Sequence, residues 1–478
     1  MLTADAPASP LAPPISIRQA AVWILIGTAC FHAAYSPLGG WPILGYALAA
    51  VQLARLPSAK AAFRAGVILG WLCFGPQLFF FWHLFGRGAP ALWTILALWL
   101  GLFTSLAHAA LVTLSPRLTL CVIPVLWTGL EYTRSELYPL CFSWLDVGFA
   151  FANQSGLPFR LLGFYGIGLV IAAWASWVSF TRFRPWIMAP AAVLFLGLFL
   201  VRQSPNSAAD LKIAGAQLEA PSYPQIQNQL AALESAHPEA QLLVFSEYTL
   251  DAPPPVFLRD WCRTHQKYVA IGGVDPLPGT QYFNTVFGVD PTGNIVFRQA
   301  KSVPVQFFHD GLPAPSQQVW NSPWGKLGFC ICYDLSYRRV VDRLIEQGAR
   351  ALIVPTMDAA TWGSQEHELH TRVAKLRAAE YGLPIFRIGS SGISQFVDAS
   401  GREVARAPFP GRGAMIAANL PLQQTGHVPL DHWLAPIATG LTALFVLSLI
   451  VAAIRHRRLL RRDEGRAMPA RKWFVHLF

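Results

Sequence analysis

"GFCICYDLSYRR", residues 328–339, decides how this chain is read. A glycine-led, β-rich run enters it and a helix-like run leaves it, with Cys332 at the turn between them. Its two cysteines, Cys330 and Cys332, are two apart. A disulfide would strain so short a loop. Zinc needs further close ligands, which the surrounding sequence does not offer. Cys330 fits a thiol in the core of a strand, and Cys332 fits a nucleophile at the strand's end. The turn into a helix predicts that the Cys332 sulfur feels a helix N-terminus, which would lower its pKa.

The compartment of this thiol depends on the rest of the chain. Of 478 residues, 13% are charged and 53% hydrophobic. That is about half the usual charged share and fits a membrane protein carrying one soluble portion. The 17 tryptophans suit a protein with many membrane interfaces. A net charge of +11 does not call for nucleic acid, because eight Lys/Arg against two acids crowd into residues 455–478, beside an apolar run. Seven scattered cysteines do not make a disulfide framework. The first apolar run reads as a retained span rather than a cleaved signal.

Eight spans are expected, near 17–35, 41–56, 65–85, 91–114, 118–138, 160–180, 186–202 and 433–454. Arg18, the group Arg55, Lys60 and Arg64, then Arg117, then Arg182 and Arg184, and finally "RHRRLLRR" (455–462) all fall on one face of such an arrangement. The positive-inside rule makes that face cytoplasmic. The expected domains are a membrane domain over 1–204, a soluble domain over 205–432 on the opposite, periplasmic side, and a last span with a basic tail over 433–478. The spans lack the buried charges of an ion pathway, which speaks against a transporter. Glu131 and Arg134, one helical turn apart, read as an interfacial pair. Trp144, Asp146 and Trp362 are candidates for lining a substrate route.

Within 205–432 strands alternate with amphipathic helices, which predicts a layered α/β sandwich. "LKIAGAQLEA" (211–220), "AQLLVFSEYTL" (240–250), "KYVAIGGV" (267–274), "KLGFCIC" (326–332) and "RALIVPT" (350–356) read as strands. Helices are expected over 223–236, 255–266, 336–349 and 364–381, and hairpins over 283–301 and after residue 384. His367 and His370 have helical spacing and read as a solvated helix face. The aromatics Phe307, Phe308, Trp320 and Trp324 read as a lid at the membrane interface.

Three strand-end residues form a chemically complete set: Glu247, Lys301 and Cys332. A thiol attacks a carbonyl as thiolate, a carboxylate takes its proton, and an ammonium with the backbone N–H after the nucleophile stabilises the oxyanion. That is acyl transfer through a covalent intermediate.

These motifs resemble the nitrilase, or carbon–nitrogen hydrolase, superfamily and within it the apolipoprotein N-acyltransferase family. The resemblance rests on "LLVFSEYTL", "CICYDLSYRR" and "RAAEYGLPIFRIGSSGIS" followed by "VDASGRE". It rests equally on "YSPLGGWPILGYALAA" (35–50), "LWTGLEYTRSELYPLCFSWLDVGFA" (126–150) and "GFYGIGLVIAAW" (163–174) in the membrane half. It implies a multi-span α-helical membrane protein with an inserted α/β nitrilase-like αββα sandwich. It implies a Glu247–Lys301–Cys332 triad, with Tyr333 and Asp334 at the substrate and oxyanion position. An acyl chain would pass from a phospholipid through a Cys332 thioester to the N-terminal amine of a lipoprotein, or to another amine acceptor. The setting would be the inner membrane of a bacterium, with no metal or organic cofactor and no nucleic acid. A membrane-anchored amidase, or a silent nitrilase-like scaffold in a transfer or secretion assembly, are the alternatives. Alignment on Val-Pro sets Gln299 at the lysine position, whereas alignment on "KSVP" sets Lys301 there. Lys301 is preferred as the lone lysine between 267 and 326. The family's loop glutamate has no clear counterpart, and Asp310 is the nearest acid.

Overall fold

In a computed structural model, residues 13–154, 157–180, 207–424 and 426–463 are described. The chain divides into two compact units. One holds the residues up to Phe151, those from Leu162 and those from Leu430, and the other holds Ala152–Leu161 and the stretch ending at Pro429. The short segment Ala152–Leu161 thus groups with the second unit and not with the helices around it.

The first unit is helical. Among the described residues four helical stretches are long and apolar enough to cross a membrane: Ile17–Ala34, Phe81–Thr113, Phe159–Phe180 and Asp431–Arg458. The second expected span holds only the 11-residue helix Ile43–Leu53. The third expected span, 65–85, overlaps the helix Ala59–Gln77 only in part, and the fifth, 118–138, overlaps Pro116–Tyr132. The seventh, 186–202, lies outside the described residues. Small residues let the helices approach: a Cβ on Gly70 in Ala59–Gln77 would stand 2.8 Å from Ala97 Cα in the helix Ala89–Thr113, and one on Gly101 2.6 Å from Val67 Cγ2. Between apolar helices in lipid, such close backbone packing replaces the missing hydrophobic drive.

This unit does bury charge, contrary to the sequence reading. Arg134 pairs not with Glu131 but with Asp146, which also accepts 2.9 Å from Ser135 Oγ. Both ion-pair members are buried, at 5% and 0% exposure. Glu131 instead accepts from the Val147 N–H at 3.0 Å. A buried pair with hydrogen-bonded partners is tolerated where a lone charge is not. Asp146 and Trp144 are therefore packed inside this unit.

The second unit is two six-stranded sheets. The first has the order β12-β1-β2-β3-β4-β5 and the second β11-β10-β9-β8-β7-β6. The strands of the first are β1 (Ser207–Ala216), β2 (Leu242–Phe245), β3 (Tyr268–Pro276), β4 (Tyr282–Val289), β5 (Ile295–Ala300) and β12 (Met415–Gln423). Those of the second are β6 (Val319–Ser322), β7 (Gly325–Phe329), β8 (Ala351–Thr356), β9 (Ile385–Gly389), β10 (Ser394–Val397) and β11 (Glu403–Ala407). Each sheet carries three neighbouring parallel strands, β1-β2-β3 and β7-β8-β9, extended by antiparallel ones. Helices Tyr223–Ala236, Val256–His265, Arg338–Glu346 and Ser364–Tyr381 make the crossovers that parallel pairing requires.

Burial explains the sequence pattern. β8, "ALIVPT", is buried along its whole length and so reads as an unbroken apolar run. Ile226, Leu230 and Leu233 pack with Leu258 and Cys262 onto Leu243, Phe245, Val269 and Ile271 of the first sheet. Strands β6 and β12 carry no clear signal in the sequence. β6 is four residues long, and β12 carries Pro421, which an edge strand tolerates.

Candidate active site

Parallel strands end on one side of their sheet, and in open α/β sheets ligands bind beyond their carboxyl ends. Here β2 ends two residues before Glu247, β7 three before Cys332, and β8 one before Met357. Lys301 follows directly on β5. Both Tyr248, next to Glu247, and Cys332 itself have a positive φ of 52°. Non-glycine residues rarely adopt it, and it persists only where the surroundings enforce a sharp turn.

Glu247 is buried, at 1% exposure, and each carboxylate oxygen has a partner. One accepts from Lys301 Nζ at 2.8 Å and Asn284 Nδ2 at 2.6 Å; the other accepts from the Met357 N–H at 2.6 Å. The Met357 carbonyl lies 3.6 Å from Cys332 Sγ, so one backbone residue touches both base and thiol. Burial raises the Glu247 pKa, and the Lys301 ammonium works against that rise. Burial opposes charge on Lys301, but Glu247, Cys332 and Asp310 overcome it and keep the amine well above its ordinary value.

The sequence reading placed Cys332 at a helix N-terminus with a depressed pKa. The structure corrects this. Cys332 opens a short 3-10 turn, Cys332–Ser336, and the α-helix starts only at Arg338. Burial, then the Glu247 charge, pushes the thiol up instead. A resting thiol beside a carboxylate of raised basicity is the arrangement in which the proton moves as attack occurs. Cys330 is fully buried in the core.

Lys301 has a second carboxylate, Asp310 Oδ2, at 2.6 Å. Asp310 also accepts from Tyr248 Oη and Asn284 Nδ2, both at 2.9 Å, and from the Val305 N–H at 2.8 Å. Sequence reasoning marked Asp310 only as the nearest loop acid and missed Asn284; the pattern "FNTV" carries no chemical signal of its own. Gln299, the alternative for the lysine position, is engaged elsewhere. Its amide donates to the Ala300 and Ser316 carbonyls at 2.8 and 3.0 Å and accepts from the Gln318 N–H at 2.8 Å.

Asp334 accepts from the N–H groups of Val303 at 2.7 Å, Ser302 at 3.0 Å and Ile331 at 3.2 Å. Its carboxylate thereby ties the turn of Cys332 to the chain just after Lys301. Burial lifts its pKa to about 6. A carboxylate so committed fixes the loop; Tyr333 beside it is buried, at 8% exposure.

Two more expectations change. His367 and His370 are buried, at 0% and 4% exposure, and are not a solvated face. Of the four aromatics read as a lid, Phe307 and Phe308 are exposed, at 67% and 40%, whereas Trp320 is buried and stacks on Phe297. Trp362 lies 6.1 Å from Phe308, ring to ring. Cys332, Asp358 and His370 bring donor atoms within 4.8 Å of one another, as do Asp358, Glu366 and His367. Asp358, however, already pairs with Arg387 and with His370 Nδ1, at 2.8 Å for the latter. Asp358 is thus held between a guanidinium and an imidazole, whereas Glu366 Oε2 and His367 Nδ1 are buried beside it without a hydrogen bond.

The family model described as carbon-nitrogen hydrolase matches residues 222–429, the stretch that brings this thiol, carboxylate and ammonium together. A second model, described as the apolipoprotein N-acyltransferase N-terminal domain, matches residues 27–177. The chain belongs to the apolipoprotein N-acyltransferase family. It is 26% identical to the apolipoprotein N-acyltransferase of Bordetella bronchiseptica, over 92% of this chain and 97% of the relative. It is 25% identical to that of Methylococcus capsulatus, over 74% and 77%, and 24% identical to that of Haemophilus influenzae, over 78% and 84%.

Proposed function

We propose that this chain moves a fatty acyl group from a phospholipid to the N-terminal amine of a lipoprotein, in two steps through a thioester on Cys332. The observation that carries the reading is the Met357 backbone, which joins Glu247 and Cys332 while Lys301 is ion-paired to the same carboxylate. In the first step the sulfur attacks the ester carbonyl. Its proton passes to Glu247, the new S–C bond forms, the C–O bond breaks, and the lysophospholipid leaves with the proton. In the second step the amine attacks the thioester. The N–C bond forms, the S–C bond breaks, and the amine proton returns by way of Glu247 to the sulfur. Lys301 faces the oxygen on which charge develops, together with the N–H that follows Cys332. Asp310 and Asn284 hold Lys301 and Glu247 in place, and Asp334 holds the Cys332 turn. The exposed rings of Phe307 and Phe308 offer apolar surface to an acyl chain. The distribution of basic residues supports a bacterial inner-membrane setting with the catalytic unit on the periplasmic side.

Intact-mass spectra of the protein purified from its native membrane test the first step. A hydroxylamine-labile adduct of fatty-acyl mass is expected on the wild type and not on Cys332→Ala. Its absence from wild type in the presence of phospholipid, with Cys332 still alkylated by a thiol probe, would move the reading to the amidase. No adduct and no alkylation would favour the silent scaffold.

The raised pKa of Glu247 gives a pH dependence. Its carboxylate must be unprotonated to take the thiol proton, so acylation falls as pH drops through the folded-state pKa. The acid limb of single-turnover Cys332 acylation is therefore expected above the ordinary glutamate value of about 4.3.

A further inference from the structure

Behind the thiol, on the second sheet, lies the ion cluster that the reaction above does not use. Asp358 sits in the turn after β8 and is completely buried. Its Oδ1 meets His370 Nδ1 at 2.8 Å and its Oδ2 meets the Arg387 guanidinium from β9. Glu366, on the same helix as His370, stands 3.4 Å from that ring, and His367 Nδ1 lies 3.9 Å from Asp358. Gly392 closes the space: a Cβ there would stand 2.5 Å from His367 Nδ1 and 2.7 Å from Asp358. Cys332 Sγ is within 4.8 Å of both an Asp358 oxygen and a His370 ring nitrogen.

A carboxylate that close to a sulfur in a dry interior repels the thiolate. Asp358 does act on Cys332 in that sense. Nothing can be gained from such a neighbour unless its charge is cancelled. Arg387 supplies one positive group and His370 is placed to supply the other.

We propose that His370 is a positioning residue for Cys332: paired with Asp358, it cancels a carboxylate charge that would otherwise stand against the ionised sulfur. The proposal deepens the role given to Cys332 above and rests on it for its place in the reaction. Burial opposes charge on the ring, but Asp358, with help from Glu366, holds the imidazolium above its ordinary pKa against the opposing Arg387. The sign follows. Below that raised pKa the ring is charged and Asp358 is masked. As pH rises through the raised pKa the ring loses its proton, and Asp358 turns against the thiolate.

Alkylation of full-length protein by iodoacetamide, read at the Cys332 peptide by mass spectrometry, tests this without any acyl transfer. The thiol can thus be tested whether or not the acyltransferase reading holds. His370→Gln is expected to slow Cys332 alkylation at neutral pH by about tenfold and to move its pH midpoint up by about one unit. His370→Lys, which keeps the cation, is expected to restore most of the rate. Because a buried histidine also packs, Asp358→Asn supplies a reading of opposite sign. Removing the charge is expected to speed alkylation, whereas loss of a merely structural contact would slow it. A His370→Gln profile superimposable on wild type, equal losses in the Gln and Lys variants, or slower alkylation in Asp358→Asn would each overturn the proposal.

Discussion

Lys301→Met lowers the rate of Cys332 acylation by about 10²–10³, the loss that follows removal of one group from an oxyanion site. It also weakens the fold, and the reason lies in what the lysine leaves behind. Glu247 and Asp310 both ion-pair with Nζ, and Asn284 Nδ2 bridges the two carboxylates. All three charged groups are nearly inaccessible, at 1%, 6% and 1% exposure for Glu247, Asp310 and Lys301. Without the ammonium, two buried carboxylates face each other, and breaking such a buried pair costs about 3–5 kcal/mol. One carboxylate is then expected to take up a proton, so the variant should recover stability, though not activity, as pH falls. Thermal melts over a pH series, run beside single-turnover acylation, check both halves. A variant as stable and as fast as wild type would remove Lys301 from the site.

Gly272→Ala is expected to cut acylation about 10²-fold while leaving the chain folded. Gly272 lies in β3, alongside the end of β2. A Cβ there would stand 2.6 Å from both Glu247 Cα and the Ser246 carbonyl oxygen, and 3.0 Å from the Tyr248 nitrogen. All three are main-chain atoms, so no rotamer relieves the contact. The backbone bearing the base must move, and a displacement of about 1 Å is enough for a loss of that size. Overpacking of this kind costs about 1–3 kcal/mol, which a two-sheet core can absorb. Acylation and melting measured together separate the two effects: a large fall in melting temperature with unchanged acylation per folded molecule would show that Gly272 serves packing alone.

Much of this protein is written locally. Apolar runs too long and too poor in charge for a soluble core marked the helical unit, and "RHRRLLRR" marked the basic end of its last helix. Period and turn chemistry marked the strands and helices of the second unit; Tyr223–Ala236 and Ser364–Tyr381 fall where the sequence placed them. Glu247, Lys301 and Cys332 were visible because each is a reactive residue at the end of a strand pattern. Strand β12 was hidden, since its proline and mixed residues make sense only at a sheet edge.

What only the tertiary structure decided concerns groups whose meaning is relational. Asp334 looked like part of an oxyanion site and proves to be committed to three backbone N–H groups. His367 and His370 have the spacing of an exposed helix face, yet the second sheet covers them. Asp310 and Asn284 are far from Glu247 in the chain, yet Asp310 pairs with the lysine that pairs with Glu247, and Asn284 donates to both carboxylates. Even the basicity of Cys332 reversed direction, because burial outweighs a helix terminus that the fold places six residues too late. Periodicity reports which face of an element is apolar. It does not report which charge from another element will meet that face, and in a dry interior that neighbour sets both the pKa and the role.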